Sequence, residues 1–145
     1  MLVSEILRIK GHTLFTTKPD GKVLDAVTVM AQHDIGSLVV MDHGRMSGLL
    51  TFAEVLKAIS ERGDALGDMR VADICQRDPL TATPHLDVME LRRSMLERHA
   101  RYVPVMDGTT LQGVVSFHDV AKAVLEEQSF ENRMLKSYIE DSRGA

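Results

Sequence analysis

The chain has 145 residues, 44% apolar and 26% charged, with 17 Lys+Arg against 21 Asp+Glu for a net charge of −4. That balance excludes disordered, collagen-like and disulfide-stapled classes, and a mildly acidic chain with no basic block lacks the positive footprint that nucleic-acid backbones require. No apolar run of 18 residues is present to span a membrane, and one cysteine, Cys75, builds neither an internal disulfide nor a zinc site by itself.

The first eight residues, Met1 to Arg8, lack the basic, apolar, small-residue order of a secretory signal. With the lone cysteine this predicts a reducing, cytoplasmic setting. Leu14 to Thr17 reads as a short extended stretch, and Pro19 keeps the residue before it out of the helical region. From Val23 to Asp34, Val23, Ala26, Val27, Met30 and Ala31 recur at three- and four-residue steps, an amphipathic helix. Ser37 to Met41 is a buried strand by its β-branched content, Asp42-His43-Gly44-Arg45 is turn chemistry, and Met46 to Leu50 is the returning strand. Thr51 opens a second helix that runs through Arg62.

A shift of 65 positions then repeats the pattern without a gap. It lays Pro19 on Pro84, Val23 on Val88, Met30 on Met95, Val40-Met41-Asp42 on Val105-Met106-Asp107, Gly48 on Gly113 and Phe52 on Phe117. Agreement at Pro, Asp, Gly and Phe, which do different structural work, marks a duplication rather than two similar helices. Upstream, Val3-Ser4-Glu5-Ile6 matches Val71-Ala72-Asp73-Ile74 at a slightly larger offset, so one copy has a longer lead-in. The second copy predicts a strand at Leu80–Thr83, a helix at Val88–His99, strands at Tyr102–Met106 and Leu111–Val115 around a turn at Asp107–Thr110, and a helix from Phe117. The division is therefore a first repeat over residues 1–62, a linker over 63–70, a second repeat over 71–126 and a C-terminal helical extension over 127–145. The fold class is α/β (α+β), two βαββα units packed by pseudo-twofold symmetry. Units of about 60 residues are marginal alone, and their packing creates clefts lined by both copies.

Gly113-Val114-Val115-Ser116-Phe117-His118-Asp119 and Gly48-Leu49-Leu50-Thr51-Phe52-Ala53-Glu54 each run a strand into a hydroxyl residue, with a carboxylate three positions later. Such a pair is a capping box, worth about 1 kcal/mol. The same geometry presents free N–H groups to a phosphate and an acid to ribose hydroxyls. The residues alone leave both readings open.

Taken together, Val-x-[Asp/Glu]-Ile, Thr-x-x-Pro, an amphipathic helix, Val-x-Met-Asp and Gly-h-h-[Ser/Thr]-x-x-[Asp/Glu] resemble the cystathionine-β-synthase (CBS) domain, and two copies in tandem resemble a Bateman module. The resemblance covers Val3 to about Leu125 and leaves no length for a catalytic domain. In Leu7-Arg8-x-Lys10-Gly11, Glu127-Gln128 and Tyr138-Ile139 the chain is similar to stand-alone bacterial tandem CBS proteins.

That resemblance implies a non-catalytic, ligand-sensing homodimer that binds an adenine nucleotide in an inter-repeat cleft and signals to an unidentified regulated protein. AMP is the first expectation, with ADP, ATP, NAD(H) and S-adenosylmethionine as the other ligands of the class and no metal required. Carried over by position, Asp119 matches the ribose-binding aspartate, Ser116 the hydroxyl beside it and His118 a second phosphate contact. Arg101 reaches phosphate and is followed by Tyr102 and Pro104, while Val114 lies on the strand leading to Ser116. Ile35, Gly36 and Ser37 match the stretch that sandwiches adenine, and Lys10, Gly11, His12 and Thr13 the backbone that reads its edge. The second cleft would use Thr51, Glu54, Thr81 and Thr83. Glu54 replaces the usual aspartate and Phe52-Ala53 the usual charged pair, so this cleft is expected to be weaker or empty. The alternative is a dimeric scaffold with vestigial clefts.

The remaining features read as structural. The six histidines form no metal-ligand spacing, Cys75 reads as a small core residue, and Met30, Met41, Met95 and Met106 as core gap-fillers. In the last helix Phe130, Met134, Leu135, Tyr138 and Ile139 extend an apolar stripe that suits a dimer contact, and the broken spacing from Val124 to Phe130 predicts a bend near Gln128-Ser129.

Overall fold

Each repeat is built around one antiparallel hairpin, and the two hairpins are near copies. The computed structural model describes residues 1–11 and 13–143, with side chains through 140. In the first repeat, strand β1 (Thr16–Thr17) lies parallel to β2 (Ser37–Asp42), which pairs antiparallel with β3 (Arg45–Thr51). In the second, β4 (Tyr102–Asp107) pairs with β5 (Thr110–Ser116). Both hairpins carry a bulge at the matched step, between Val40 and Met41 and between Val105 and Met106. His43 (φ 51°) and Gly44 (φ 80°) close the first turn in the left-handed region that two-residue hairpin loops demand.

The helices are α1 (Val3–Lys10), α2 (Val23–His33), α3 (Phe52–Arg62), α4 (Val71–Ile74), α5 (Val88–Arg98) and α6 (Phe117–Arg143). Helices α2 and α5 end at Asp34 and His99, both left-handed caps. Residues 63–68, expected as a connector from their glycines, form a 3-10 turn, and Met69 just after it is buried in the first repeat.

Two cores result, and each borrows its lead-in from the other repeat. Val3, Ile6 and Leu7 pack with Val88, Leu91, Met95, Val103 and Val115. Met69 and Val71 pack with Val23, Met30, Leu38, Val40 and Leu50. The backbone repeats the exchange: Val3 N–H donates to Leu86 O (3.0 Å) and Ser4 N–H to Pro84 O (2.9 Å), while Val71 N–H donates to Gly21 O (2.8 Å) and Ala72 N–H to Pro19 O (2.9 Å). Neither repeat thus holds a complete core from its own contiguous residues, and the full burial of a side chain such as Leu91 or Val71, worth about 1.5–3 kcal/mol, draws on residues of both repeats.

Two expectations are corrected, and one unassigned segment gains a structure. The strand at Leu80–Thr83 reduces to a single bridge, Ala82 with Val105, because Pro104 has no N–H to extend the ladder and Pro79 and Pro84 flank the segment. Residues 3–6, which the repeat left unassigned, open helix α1. The bend near Gln128-Ser129 is absent: α6 is one helix of 27 residues, about 40 Å long. The Glu126-Glu127-Gln128 stretch interrupts the apolar stripe, but these are good helix formers and the helix contains neither Gly nor Pro before its end. Among the described residues no helix is long and apolar enough to cross a membrane.

Candidate functional site

Where the repeats meet, a cleft of about 680 Å³ opens between the start of β2 and the junction of β5 with α6. Matched bonds fix both sides: Phe52 N–H donates to Gly36 O (3.0 Å) and Phe117 N–H to Arg101 O (2.8 Å), so each helix start is tied to the first residues of its own hairpin. The repeat register pairs Gly36-Ser37 with Arg101-Tyr102, and the inequality shapes the seam. A Cβ on Gly36 would stand 1.9 Å from the Tyr102 hydroxyl oxygen, so glycine is what lets Tyr102 cross the seam. Tyr102 meets Phe52 edge-on at 6.2 Å, and the Arg101 guanidinium lies 5.3 Å above the same ring.

Ten of the residues expected around the main cleft line it: Lys10, Thr13, Ile35, Gly36, Ser37, Arg101, Tyr102, Val114, Ser116 and His118. Gly11 is exposed and off the wall, Pro104 is buried within β4, and His12 lies outside the described residues. Asp119 is not on the wall either; it joins the cleft through Ser116 and Lys10. The capping box is formed, with Ser116 N–H donating to Asp119 Oδ2 (2.9 Å) and Asp119 N–H to Ser116 Oγ (3.1 Å). Lys10 Nζ donates to the same Oδ2 (2.8 Å) and to Val114 O (3.0 Å). Asp119 Oδ1 accepts no hydrogen bond among the described residues. Burial pushes the Asp119 carboxyl up, but the Lys10 hydrogen bond and the Ser116 N–H outweigh it and hold the group below its ordinary value.

Leu14, Phe15, Asp34, Phe52 and Phe117 also line the cleft and were assigned no role from the sequence. The signal for two of them was present: Phe52 and Phe117 coincide in the repeat one residue past each cap, a position that faces the seam.

A second cleft of about 560 Å³ shares Phe52, Arg101 and Tyr102 with the first. Of its expected residues Thr51 lines it, whereas Glu54 does not and Thr81 and Thr83 are exposed elsewhere. Glu54 is spent locally. Its Oε2 accepts from Thr51 N–H (3.0 Å) and the Thr51 hydroxyl, and its Oε1 from Gln76 Nε2. Gln76 is pinned in turn by two backbone bonds with Leu49, 2.9 and 2.8 Å. Gln76, Arg98 and His99, which sequence reasoning passed over, complete that wall.

The comparisons agree with this architecture. A family model for the CBS domain matches residues 3–61 and again 71–126. A CBS domain-containing protein of Arabidopsis thaliana, CBSX3, mitochondrial, is 31% identical over 148 residues that span 95% of this chain and 71% of that protein. Among solved structures, the CBS-domain containing protein ATU1752 from Agrobacterium tumefaciens superposes with a TM-score of 0.81 at 28% identity, covering 85% of this chain and 98% of that one. The CBS domain pair of MJ0100, solved in complex with 5-methylthioadenosine and S-adenosyl-L-methionine, shares the fold at a TM-score of 0.77 and 22% identity, over 88% and 98% of the two chains. With the family model matching twice and one hairpin-centred core per match, the chain belongs to the CBS-domain family as a tandem pair.

Proposed function

We propose that this chain is a regulatory module whose seam cleft binds an adenine nucleotide, AMP fitting best, and whose response is a change in how the repeats pack, sensed by a partner protein. The observation that carries this reading is the combination on one wall of apolar groups, two cations and an imidazole: Ile35, Phe52 and Phe117 beside Lys10, Arg101 and His118. A base slides between the apolar side chains, the free Asp119 Oδ1 accepts from ribose hydroxyls, and Arg101 and His118 meet the phosphate. The adenosine ligands of the MJ0100 pair support the nucleoside part of this reading. The cations favour a phosphate over a sulfonium at its far end.

Thermal unfolding with AMP, ADP, ATP, NAD(H) and S-adenosylmethionine tests it. A ligand at 100 times its dissociation constant adds about 2.7 kcal/mol of stability, and AMP is expected to give the largest upward shift. The scaffold reading is favoured by one observation, the saturation of Asp119 Oδ2 by the chain's own groups, and it predicts no shift with any of them. Phe130, Met134, Leu135 and Tyr138 on α6 are more than half exposed. We assign that face to homodimer contact. Sedimentation should give twice the chain mass, and a monomer at micromolar concentration would rule the assignment out.

A further inference from the structure

We propose that Lys10 sets the specificity of the seam cleft, admitting adenosines that carry a phosphate and holding out those that do not; this rests on the adenine-nucleotide reading above. Lys10 lines the cleft, and its ammonium bridges Asp119 Oδ2 (2.8 Å) to Val114 O (3.0 Å), so the acid that would grip a ribose is engaged by a charged group of the chain itself. The placement is built in. Lys10 is the last residue of α1, fixed there by Gly11, whose backbone (φ 94°) ends the helix while its N–H donates to Leu7 O (2.9 Å). The matching helix α4 stops at Ile74, and among the described residues the carboxylate of the second capping box meets the neutral Gln76 amide rather than a cation.

The two partners are unequally held. The Lys10 side chain is 42% exposed and that of Asp119 21%, so the ammonium is the group that moves. A ribose donating to both carboxylate oxygens displaces it from Oδ2. An unphosphorylated nucleoside then leaves Lys10 with no counter-charge, whereas a nucleoside phosphate takes the ammonium onto its own oxygens, and one ion pair is exchanged for another. Arg101, drawn over the Phe52 ring at 5.3 Å, is common to AMP binding with or without this exchange; among the described residues Lys10 is the cation that links the anion to the ribose acid.

Calorimetric titration of the wild-type chain, Lys10→Gln and Lys10→Arg with adenosine and with AMP tests the exchange. Lys10→Gln should bind adenosine about threefold to fivefold more tightly, because an ordinary half-exposed ion pair no longer competes for Asp119. It should bind AMP about tenfold more weakly, having lost a charge-assisted bond to phosphate. The preference for AMP over adenosine therefore falls about thirtyfold or more, and Lys10→Arg keeps it. An equal loss of both affinities, or an unchanged ratio, overturns the role of Lys10 while leaving the nucleotide site in place. A wild-type chain that binds neither compound overturns the nucleotide reading first, and the role of Lys10 with it.

Discussion

The two capping boxes are the same local structure put to different ends. Both place a carboxylate at the third position of a helix, and both carboxylates are met by the lead-in segment of the opposite repeat, Asp119 by Lys10 and Glu54 by Gln76. At Asp119 the visitor is a charged side chain, partly exposed, and one carboxylate oxygen accepts nothing among the described residues. At Glu54 the visitor is a neutral amide whose backbone is bonded twice to β3, and both oxygens are used. A phosphate draws an ammonium far more strongly than a neutral amide, and the backbone that carries this amide is fixed on β3. Capping and ligand reading are therefore not rival explanations of the motif. The first is present in both repeats, and whether the lead-in takes up the second carboxylate oxygen, as Gln76 does at Glu54 and Lys10 does not at Asp119, decides whether the motif can also serve a ligand.

The largest way to break the comparison is to push the lead-ins off their hairpins. A Cβ at Gly48 would stand 2.5 Å from the carbonyl oxygen of Gln76, a backbone atom that cannot swing aside, and 3.1 Å from Cys75 Sγ. At the matching Gly113 the nearest atom is Leu7 Cδ2 at 2.9 Å, the end of a side chain with other rotamers. Gly48→Ala should destabilise by about 2–3 kcal/mol and Gly113→Ala by about 1 kcal/mol or less. Melting curves read the difference directly, and equal drops in Tm would show that the two lead-ins are held alike.

Next in size is the effect on ligand. Asp119→Ala should weaken AMP by about tenfold to a hundredfold, the loss of one or two charge-assisted bonds. Glu54→Ala should leave AMP within about twofold. Each variant loses its capping carboxylate, worth about 1 kcal/mol of stability, so unfolding should report them as similar while titration separates them. A Glu54→Ala variant that binds AMP as poorly as Asp119→Ala would move the site to the second cleft or across both.

The duplication made the hairpins, the caps and the seam readable, because a register that holds at Pro19/Pro84, Gly48/Gly113 and Phe52/Phe117 also matches their positions in space. The repeat did not reveal where the lead-ins go. Its register changes at Val3/Val71, and nothing in either segment says which core it will enter; the exchange appears only in contacts such as Val3 with Leu86 and Val71 with Gly21. The longer first lead-in, visible as a change of offset, turned out to be an added helical turn that carries Lys10 to a carboxylate 109 residues away. Local pattern cannot see such a pair. Leu80–Thr83 failed as a strand for a reason equally remote from its own composition, since the missing donor is Pro104 on the neighbouring chain segment.

The smallest expected effect is on acid stability, and it isolates the Asp119 side of the comparison. The folded Asp119 carboxyl lies below its unfolded value, because the Lys10 hydrogen bond and Ser116 N–H together exceed the upward push of burial. Its contribution is therefore fully present above the ordinary carboxylate range, near about pH 4, and is lost as pH falls through the depressed folded value. Since Lys10 is well exposed, solvent screens the pair and the contribution stays below about 1 kcal/mol. Asp119→Asn, which still offers an oxygen to the Ser116 N–H, should flatten the acid limb of Tm against pH and leave the neutral plateau lowered only slightly. Lys10→Gln should flatten the same limb in part, since it removes one of the two groups holding the carboxyl down. An acid limb as steep in both variants as in the wild type would mean that Lys10 and Asp119 are not paired in solution, and the charged visitor that distinguishes the first cleft from the second would be gone.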